Sequence, residues 1–360
     1  KNGDVIKNFE SPAPGELLSC NDENATKGMN SYIITAYNES GAGKRVEVSA
    51  FVGNDTPSAP LNITASGNED GTLKLSWTAP EKGKNGGYIN KSQLSYSAYT
   101  VDDEGYADLY EENIKGNSVS LAELDNTGEQ RFEFFGVQAV NKDGESDIMP
   151  SNSVIMGDAY TLPFADSFAN GELAYGIWYS ERTGANGFAL NDMTSADNDG
   201  GCISFQAAEA KAIASFCSGK IALNGSNSPV LTFDYYCNPG SEDILLAEIN
   251  RAYIDTTVVK TINFTQETGV AGWRHVVVSL QQFKSAPYIQ LVFLSQIAKA
   301  DNAVMIDNIK IENNPELSVN DIMVDAAKDK NVYDIVGRRQ KSTGLHNGIY
   351  IKEGKKIVVK

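Results

Sequence analysis

The stretch that decides the fold is FGVQAVNKDGES, residues 135–146. Its first part alternates larger apolar side chains with small or polar ones, which is the period of a half-buried β-strand. On such a strand Val137 and Ala139 point into a core, while Asn141 and Gly144 favour the turn into the next strand. The segment therefore predicts a strand, a tight turn and a second strand in a sheet with one covered face.

A second copy of this pattern lies near the start of the chain. Residues 32–38, YIITAYN, followed by Gly41, match residues 135–141 followed by Gly144 at a constant offset of 103 residues. A period near 100 residues is the size of one β-sandwich domain. Short alternating segments such as 73–77 recur between turn-forming residues, and helical periodicity is almost absent. The chain is therefore predicted to be all-β.

The copy at 135–146 resembles the sixth strand of fibronectin type III modules, whose pattern is V-x-A-x-N-x-x-G-x-S. Trp77, in the segment LSWTAP, matches the core tryptophan of the family's second strand. The resemblance implies a fibronectin type III-like module over residues 57–157. Glu133 and Asn30 stand where the family usually has a tyrosine, so the usual tyrosine corner is not expected in either copy.

The first copy has little chain before it. Residues 1–56 are too few to supply the opening strands of a module together with their tryptophan. We therefore expect a partial fibronectin type III-like module there. We also expect the full-length protein to extend further toward the N terminus, unless this segment packs as a partial sheet.

From residue 158 the composition changes. The segments SPVLTFDYY (228–236), GWRHVVV (272–278) and MIDNIKI (305–311) follow one another. In this order they resemble the MAM and cleaved-adhesin type of jelly-roll sandwich, and the resemblance implies a jelly roll over residues 158–313. The predicted fold class is all-β, with tandem β-sandwiches (fibronectin type III-like, then jelly roll) and a small C-terminal β tail domain.

The C-terminal segments VYDIVGRR (332–339), GIYIK (348–352) and KKIVVK (355–360) resemble the C-terminal sorting domain of type IX secretion cargo in the Bacteroidetes. The resemblance implies that residues 331–360 are a tail read by the export machinery, and that the protein is secreted or held at the outer-membrane surface. A small β-meander with solvated lysines is the alternative interpretation. Residues 314–330 are predicted to be a linker.

The charge balance limits the partners. The chain has 30 Lys and Arg against 47 Asp and Glu, a net charge of −17. Nucleic acid is not expected as a partner, because its binding depends largely on cationic contacts to phosphate. No run of about 18 apolar residues occurs, so no membrane-spanning helix is expected either.

The four cysteines are too few and too scattered for a disulfide framework, and none forms a CxxC pair. A hairpin that turns near Glu209 would place Cys202 opposite Cys217. The two residues are then either a cross-strand disulfide or two small apolar residues of a sheet, since disulfide geometry is demanding.

Calcium is the best candidate for site chemistry. Asp192 and the run ADNDGG at 196–201 cluster short oxygen-bearing side chains with glycines that allow a tight loop, as a hard cation requires. The run resembles the D-x-D-G-D-G loop of cleaved-adhesin domains, without its third Asp. That resemblance implies a calcium site with four ligands, and the alternative is an ordinary turn. The implied ligands are Asp166, Asp197, Asp199 and Asp307.

Aromatic side chains could stack on sugar rings. The candidates for a ligand-binding platform are Trp178, Tyr179 and Tyr236. Trp178 and Tyr179 are adjacent and would face opposite sides of a strand, so at most one of them is free. Aromatic residues usually serve burial first, so a core role is the alternative for each.

Catalysis is not expected. The two histidines, His275 and His346, assemble no Ser/His/Asp or Cys/His set with the residues around them. No pair of carboxylates stands out as a glycosidase pair. The glycine-rich run at 82–87 follows a strand and opens no helix, so a plain loop is predicted rather than a phosphate loop.

The leading hypothesis is a secreted or cell-surface adhesin-like binding protein whose jelly roll recognises an extracellular glycan or protein, with the fibronectin-like modules as spacers. One alternative is the non-catalytic C-terminal region of a larger secreted protease or glycoside hydrolase. A catalytic signature upstream of Lys1 would favour it. The other alternative is a purely structural surface protein.

Overall fold

The computed structural model describes residues 5–102, 105–183, 187–223, 225–316, 332–335, 338–341, 345, 348–352 and 355–359. Most of the predicted linker at 314–330 and parts of the tail at 331–360 lie outside these residues. Within them the secondary structure is β throughout, apart from three single-turn 3-10 helices at Lys91–Gln93, Ala169–Gly171 and Gln281–Phe283. The predicted all-β fold class is confirmed.

The first 56 residues contribute an antiparallel ribbon. Its strands are β1 (Gly28–Ile34), β2 (Tyr37–Asn38), β3 (Gly41–Ala42) and β4 (Val46–Val52). Strands β1 and β4 pair along their whole length, and β2 pairs with β3 at the tip. Several large apolar side chains of the ribbon are exposed, among them Met29, Ile33, Ile34 and Val46.

Residues 57–157 form two small sheets. The strands are β5 (Leu61–Gly67), β6 (Leu73–Thr78), β7 (Ser95–Val101), β8 (Ala107–Ile114), β9 (Ser118–Leu121), β10 (Arg131–Asn141), β11 (Gly144–Glu145), β12 (Met149–Pro150) and β13 (Val154–Met156). One sheet has the order β5-β6-β9, and the other has the order β11-β10-β7-β8, with β12 and β13 also pairing with β10.

The core of this region follows the predicted alternation. Val137 and Ala139 on β10 have no exposed surface, and Asn141 pairs with Gly144 across the turn. Trp77 is buried, and its ring centroid lies 5.0 Å from that of Tyr96. A fully buried side chain of this kind contributes roughly 1.5–3 kcal/mol, so these inward residues hold the two sheets together.

Residues 158–313 form a larger two-sheet sandwich. Its strands are β14 (Phe164–Asp166), β15 (Trp178–Thr183), β16 (Ala189–Asn191), β17 (Cys202–Gln206), β18 (Ile213–Ser218), β19 (Pro229–Cys237), β20 (Ile244–Arg251), β21 (Asp255–Asn263), β22 (Gly272–Ser279), β23 (Ile289–Gln296) and β24 (Ala303–Asn313). We call the sheet with the order β16-β17-β24-β19-β22 the front sheet; β14 also pairs with β24. The back sheet begins with β15-β18-β23-β20-β21.

The inner faces of the front and back sheets enclose one apolar core. Alternate residues of each strand point inward, as the pleat of a β-strand requires. Fully buried members of this core include Phe205, Leu231, Phe233, Leu245, Leu291, Phe293, Ile306 and Ile311.

The C-terminal strands extend the back sheet. They are β25 (Val332–Asp334), β26 (Arg339–Gln340), β27 (Gly348–Lys352) and β28 (Lys355–Val359), and they continue its order as β21-β28-β27-β25-β26. Within the described part of the tail, β28 joins β21 through one residue pair, Thr257 with Lys355. The predicted tail segment is therefore β-structured where the structure describes it.

The C-terminal residues cover part of the outer face of the back sheet, over β20 and β23. Ile335 and Ile349 pack against a cluster that contains Ile244, Leu246 and Leu294. Beside them the Lys356 Nζ lies 2.7 Å from an oxygen of Glu248, whose side chain has no exposed surface. Burial raises the pKa of the Glu248 carboxyl, and the Lys356 ammonium opposes part of that rise.

The described chain divides into two compact units, and the division does not follow the predicted module boundaries. One unit holds residues 1–65, 74–120 and 133–153, and the other holds 66–73, 121–132 and 154–360. Three segments of the predicted 57–157 module thus belong to the same unit as the larger sandwich. The predicted domain boundaries stay predictions.

The predicted hairpin between Cys202 and Cys217 is wrong. Strand β17 lies in the front sheet between β16 and β24, whereas β18 lies in the back sheet between β15 and β23. The chain crosses between the sheets in the connection, where Ala207 and Ala212 are buried. Both cysteines are buried and free, so they are apolar residues of two different sheets.

Candidate functional site

Three carboxylates predicted as calcium ligands lie together. Asp197, Asp199 and Asp307 each place a carboxylate oxygen within 4.8 Å of the others. Asp197 and Asp199 lie in the loop between β16 and β17. Asp307 lies on β24 where the pairing of β19 with β24 shifts register. A β-bulge of this kind re-aims side chains, which brings Asp307 to the loop.

The three carboxylates of the cluster repel one another, and one of them is buried. Asp307 has no exposed surface, and its two oxygens accept hydrogen bonds from the backbone N–H groups of Ala196 (2.6 Å) and Asn308 (2.7 Å). Burial, with repulsion from Asp199 and Asp197, raises the pKa of Asp307 to about 6. The Asp199 Oδ1 is buried and accepts no hydrogen bond from the described residues. A hard cation would relieve both conditions.

The shape of the loop depends on close packing at one glycine. A Cβ on Gly201 would lie 1.6 Å from the carbonyl oxygen of Phe168, so no other residue fits there without a backbone shift. Asn198 and Gly200 both have left-handed φ values, of 68° and 87°. The loop is therefore folded tightly against residues 168–171, as a turn with this glycine content predicts.

Asp166, the fourth predicted ligand, is not part of the cluster. Its carboxylate accepts hydrogen bonds from the N–H groups of Phe168 (2.9 Å) and Ala174 (3.0 Å) and from the Trp178 indole N–H (2.9 Å). The carboxylate is buried, and burial raises its pKa. These three donors satisfy it, so Asp166 fixes the residues between β14 and β15 rather than facing the acidic loop.

Trp178, a predicted platform residue, is part of the core. Its ring is parallel to that of Phe216, with centroids 4.6 Å apart. The indole N–H is used by Asp166. Residue 178 points inward on β15, so no face of this ring is available to a ligand.

Tyr179 points to the opposite side of β15, and its side chain is partly exposed. The rings of Tyr179 and Phe132 pack edge to face, with their centroids 5.2 Å apart. Burial is the main cause of a raised pKa of the Tyr179 phenol. Trp178 and Tyr179 thus point in opposite directions, with Trp178 in the core and Tyr179 partly exposed beside Phe132.

Tyr236 lies on the outer face of the front sheet, where it meets a residue that the sequence reasoning did not select. Tyr236 on β19 stands opposite Trp273 on β22, with the rings edge to face at a centroid distance of 5.6 Å. Both side chains are partly exposed. The alternation of side chains along β22 could have identified it, because Trp273 points to the opposite face of the strand from the buried Val276 and Val278.

A polar group lies beside this aromatic pair. The Asp234 carboxylate accepts a hydrogen bond from the Asn308 side-chain amide (3.0 Å) and contacts the His275 Nδ1 (2.8 Å). Asp234 is also the register partner of Asp307, and the Asn308 N–H donates to the Asp307 carboxylate. The acidic cluster is thus connected through Asp307 and Asn308 to Asp234, which lies two positions before Tyr236 on the same strand.

The glycine-rich run at 82–87 has no free anion-binding site in its backbone. The N–H groups of Asn85 (2.8 Å) and Gly87 (3.1 Å) donate to the buried carboxylate of Asp55. A Cβ on Gly83 would lie 2.4 Å from Asp55, so the glycines allow the loop to close on this side chain. The run is a structural loop around a carboxylate, as the prediction of a plain loop requires.

No helix in the described part of the chain is long and apolar enough to cross a membrane.

No protein-family model and no curated protein matches the chain. Solved structures match parts of it. The K1 cleaved adhesin domain of Lys-gingipain from Porphyromonas gingivalis W83 is 16% identical, with a TM-score of 0.34, over 42% of this chain and 98% of that chain. Carbohydrate-binding modules of the β-sandwich superfamily are 10% identical, with a TM-score of 0.33, over 72% of this chain and 99% of that chain. An Fn3-like protein from Clostridium thermocellum is 20% identical, with a TM-score of 0.21, over 28% and 92%. Similarities of this size do not assign the chain to a family.

Proposed function

We propose that this chain is a non-catalytic binding protein whose front sheet recognises a glycan through its outer face. The observation that carries the proposal is the partly exposed pair Tyr236 and Trp273, next to the hydrogen-bonded group of Asp234, His275 and Asn308. Aromatic faces pack against the apolar faces of sugar rings, and adjacent carboxylate and amide groups bond to hydroxyls. This combination suits an uncharged sugar.

The choice of the front sheet rests on a contrast with the back sheet. On the outer face of the back sheet, Leu246 and Glu248 have no exposed surface, and the C-terminal strands pack over them. On the front sheet, His275 and Val277 are exposed. The net charge of −17 also disfavours acidic glycans, because like charges repel.

We also propose that Asp197, Asp199 and Asp307 hold a calcium ion. The donor set is made of carboxylate oxygens, which suit a hard cation, and it includes the unpartnered buried oxygen of Asp199. The ion would neutralise the repulsion among the three carboxylates. Because Asn308 donates hydrogen bonds to both Asp307 and Asp234, it joins one proposed ligand of the ion to the polar group beside the aromatic pair.

Export through the C-terminal tail is part of the same proposal. Its support is the resemblance of residues 331–360 to type IX sorting domains, and it makes the protein secreted or attached to the outer-membrane surface. A reporter fused to these residues and expressed in a Bacteroidetes host tests it. The reporter is expected outside the cell, and its retention in a strain with intact type IX secretion would contradict the proposal.

The glycan site is tested by array screening of the full chain, followed by calorimetry with the best glycan. Replacing Trp273 or Tyr236 by Ala is expected to weaken binding about tenfold or more, as the loss of an aromatic contact residue does. Tyr106→Ala is the matched control, since Tyr106 is 72% exposed and lies far along the chain in the 57–157 region. Binding of no glycan by the wild type, or equal binding by Trp273→Ala, would overturn the site.

The calcium site is tested by thermal unfolding with calcium chloride and with a chelator. Bound calcium is expected to stabilise the folded state by about 2.7 kcal/mol at one hundred times its dissociation constant. Asp199→Asn is expected to abolish most of this difference, whereas Asp108→Asn, at an exposed position of β8, is expected to keep it. Identical melting with calcium and chelator in the wild type would exclude the site.

A further inference from the structure

A lysine is enclosed in the unit that contains the larger sandwich. Lys220, two residues after the end of β18, is 2% exposed. Its Nζ donates a hydrogen bond to the Oδ1 of Asn126 at 2.7 Å, and it lies 5.1 Å from the centre of the Tyr288 ring. The side chain is thus held between an aromatic ring and a carboxamide that is 94 positions away in the chain.

The surroundings fix both groups. The Lys220 N–H donates to the Gln130 side-chain oxygen (2.7 Å), and the Gln130 amide donates back to the Lys220 carbonyl (2.9 Å). The Gly157 N–H donates to the same Asn126 Oδ1 at 3.0 Å. The Gly157 N–H therefore polarises the C=O bond of the Asn126 carboxamide toward the oxygen, while the Lys220 Nζ lies against the same group.

Burial shifts the Lys220 amine toward its uncharged form. Burial lowers the pKa of Lys220 to about 8, although the charge of Asp158 acts in the opposite direction. An amine with such a pKa is partly uncharged at neutral pH, and uncharged buried lysines act as nucleophiles. An ammonium kept in this position would be costly because it is removed from water.

We propose that Lys220 and Asn126 form an intramolecular amide crosslink with release of ammonia. The uncharged Nζ attacks Cγ of Asn126, and the Gly157 N–H stabilises the negative charge that develops on Oδ1. The bond from Cγ to Nδ2 then breaks, and the proton lost by the attacking nitrogen passes to the leaving nitrogen, which departs as ammonia. One N–C bond forms, one breaks, and no oxidant or reductant is needed.

The position of Asn126 allows the released ammonia to leave. Asn126 is exposed as a residue, so ammonia leaves directly to solvent. The product removes a buried charge and leaves an amide that needs no counter-ion. It also closes a long loop covalently, which is expected to raise the temperature of unfolding.

Intact-mass spectrometry of the purified full chain tests the crosslink. The wild type is expected to be lighter than its sequence mass by one ammonia. Trypsin is expected to leave the bond after Lys220 uncut and to release a branched peptide that contains residues 116–131. A wild-type mass equal to the sequence mass, with cleavage after Lys220, would overturn the proposal.

One variant separates the crosslink from a cyclic imide of Asn126, which also loses ammonia, and a second assigns the loss to this residue. Lys220→Arg keeps the positive charge but is expected to restore the full sequence mass. Asn126→Ala is expected to show no ammonia loss by either route. Persistence of the loss in Lys220→Arg would assign it to the imide and would overturn the proposal. Because the branched peptide is measured on the wild type, the test does not depend on the folding of either variant.

Discussion

The outer faces of the front and back sheets are built by the same alternation of side chains, yet they have opposite characters. On the back sheet the outward residues Leu246, Leu294 and Glu248 are buried beneath the C-terminal strands. On the front sheet the outward residues Trp273 and His275 reach solvent. The comparison shows that strand alternation determines the direction of a side chain, whereas other segments of the chain determine whether that direction leads to water.

The difference bears on function because a ligand needs an accessible surface. A covered face contributes mainly to the free energy of unfolding, through apolar burial. An open face with aromatic residues contributes less to stability and more to recognition. Substitutions on the two outer faces, and in the core between the sheets, therefore separate effects on the free energy of unfolding from effects on ligand binding.

The largest difference in the free energy of unfolding is expected between substitutions of two tryptophans. Trp178→Ala removes a buried ring and leaves Asp166 without one of its donors, so the free energy of unfolding is expected to fall by about 3–5 kcal/mol. Trp273→Ala removes a partly exposed ring, and a loss of about 1 kcal/mol is expected. Urea denaturation of both variants measures this. Equal losses would contradict the assignment of Trp273 to an open face.

A smaller effect is expected for apolar residues on the two outer faces. Leu246→Ala, beneath the C-terminal strands, is expected to cost about 2–4 kcal/mol, because it opens a cavity in a packed cluster. Val277→Ala is the front-sheet counterpart, at a side chain that is 37% exposed, and it is expected to cost less than about 1 kcal/mol. If both variants unfold at the same urea concentration as the wild type, the back sheet is not covered in solution.

The smallest effect concerns pH and Glu248. Its pKa is raised in the folded state, so its carboxyl binds a proton more readily there than in the unfolded chain. The contribution of this group to stability is thus complete below the ordinary pKa of glutamate, about 4.3, and is lost as pH rises through the folded value.

Glu248→Gln, which cannot titrate, isolates this contribution. The free energy of unfolding of the wild type minus that of the variant is expected to fall as pH rises, because the wild-type carboxyl loses its proton. Urea denaturation of both proteins across a pH series measures it. A difference that rises with pH would mean that the Lys356 ammonium outweighs burial.

Alternation and repeats in the sequence were enough to predict the all-β fold and the inward direction of Val137 and Ala139, because both depend on neighbouring residues. Sheet membership was not predictable in the same way. The connection from β17 to β18 is short enough for a hairpin. It instead passes from the front sheet to the back sheet, with Ala207 and Ala212 buried, so Cys202 and Cys217 lie in different sheets. Pairing of strands is a non-local property.

The candidate site shows the same limit. The sequence placed Asp197, Asp199 and Asp307 together by resemblance, and these three do lie together in the structure. Asp166 has the same chemistry, but three local donors occupy it, and no sequence pattern distinguishes a satisfied carboxylate from an available one. Trp273 was overlooked because its partner, Tyr236, is 37 positions away and becomes its neighbour only in the paired strands.

Among the residues that the structure describes, one residue pair joins β21 to β28, and this has a mechanical consequence. Strands β20 and β21 are joined by eight register pairs, and β27 and β28 by five, whereas the described residues of β21 and β28 meet only at Thr257 and Lys355. A pull on the C terminus would load this one pair, the Lys356 contact and a small apolar cluster, while the rest of the sheet carries little force. The nine-stranded sheet therefore has a seam, along which the last four strands would peel away as a block before the sandwich itself yields.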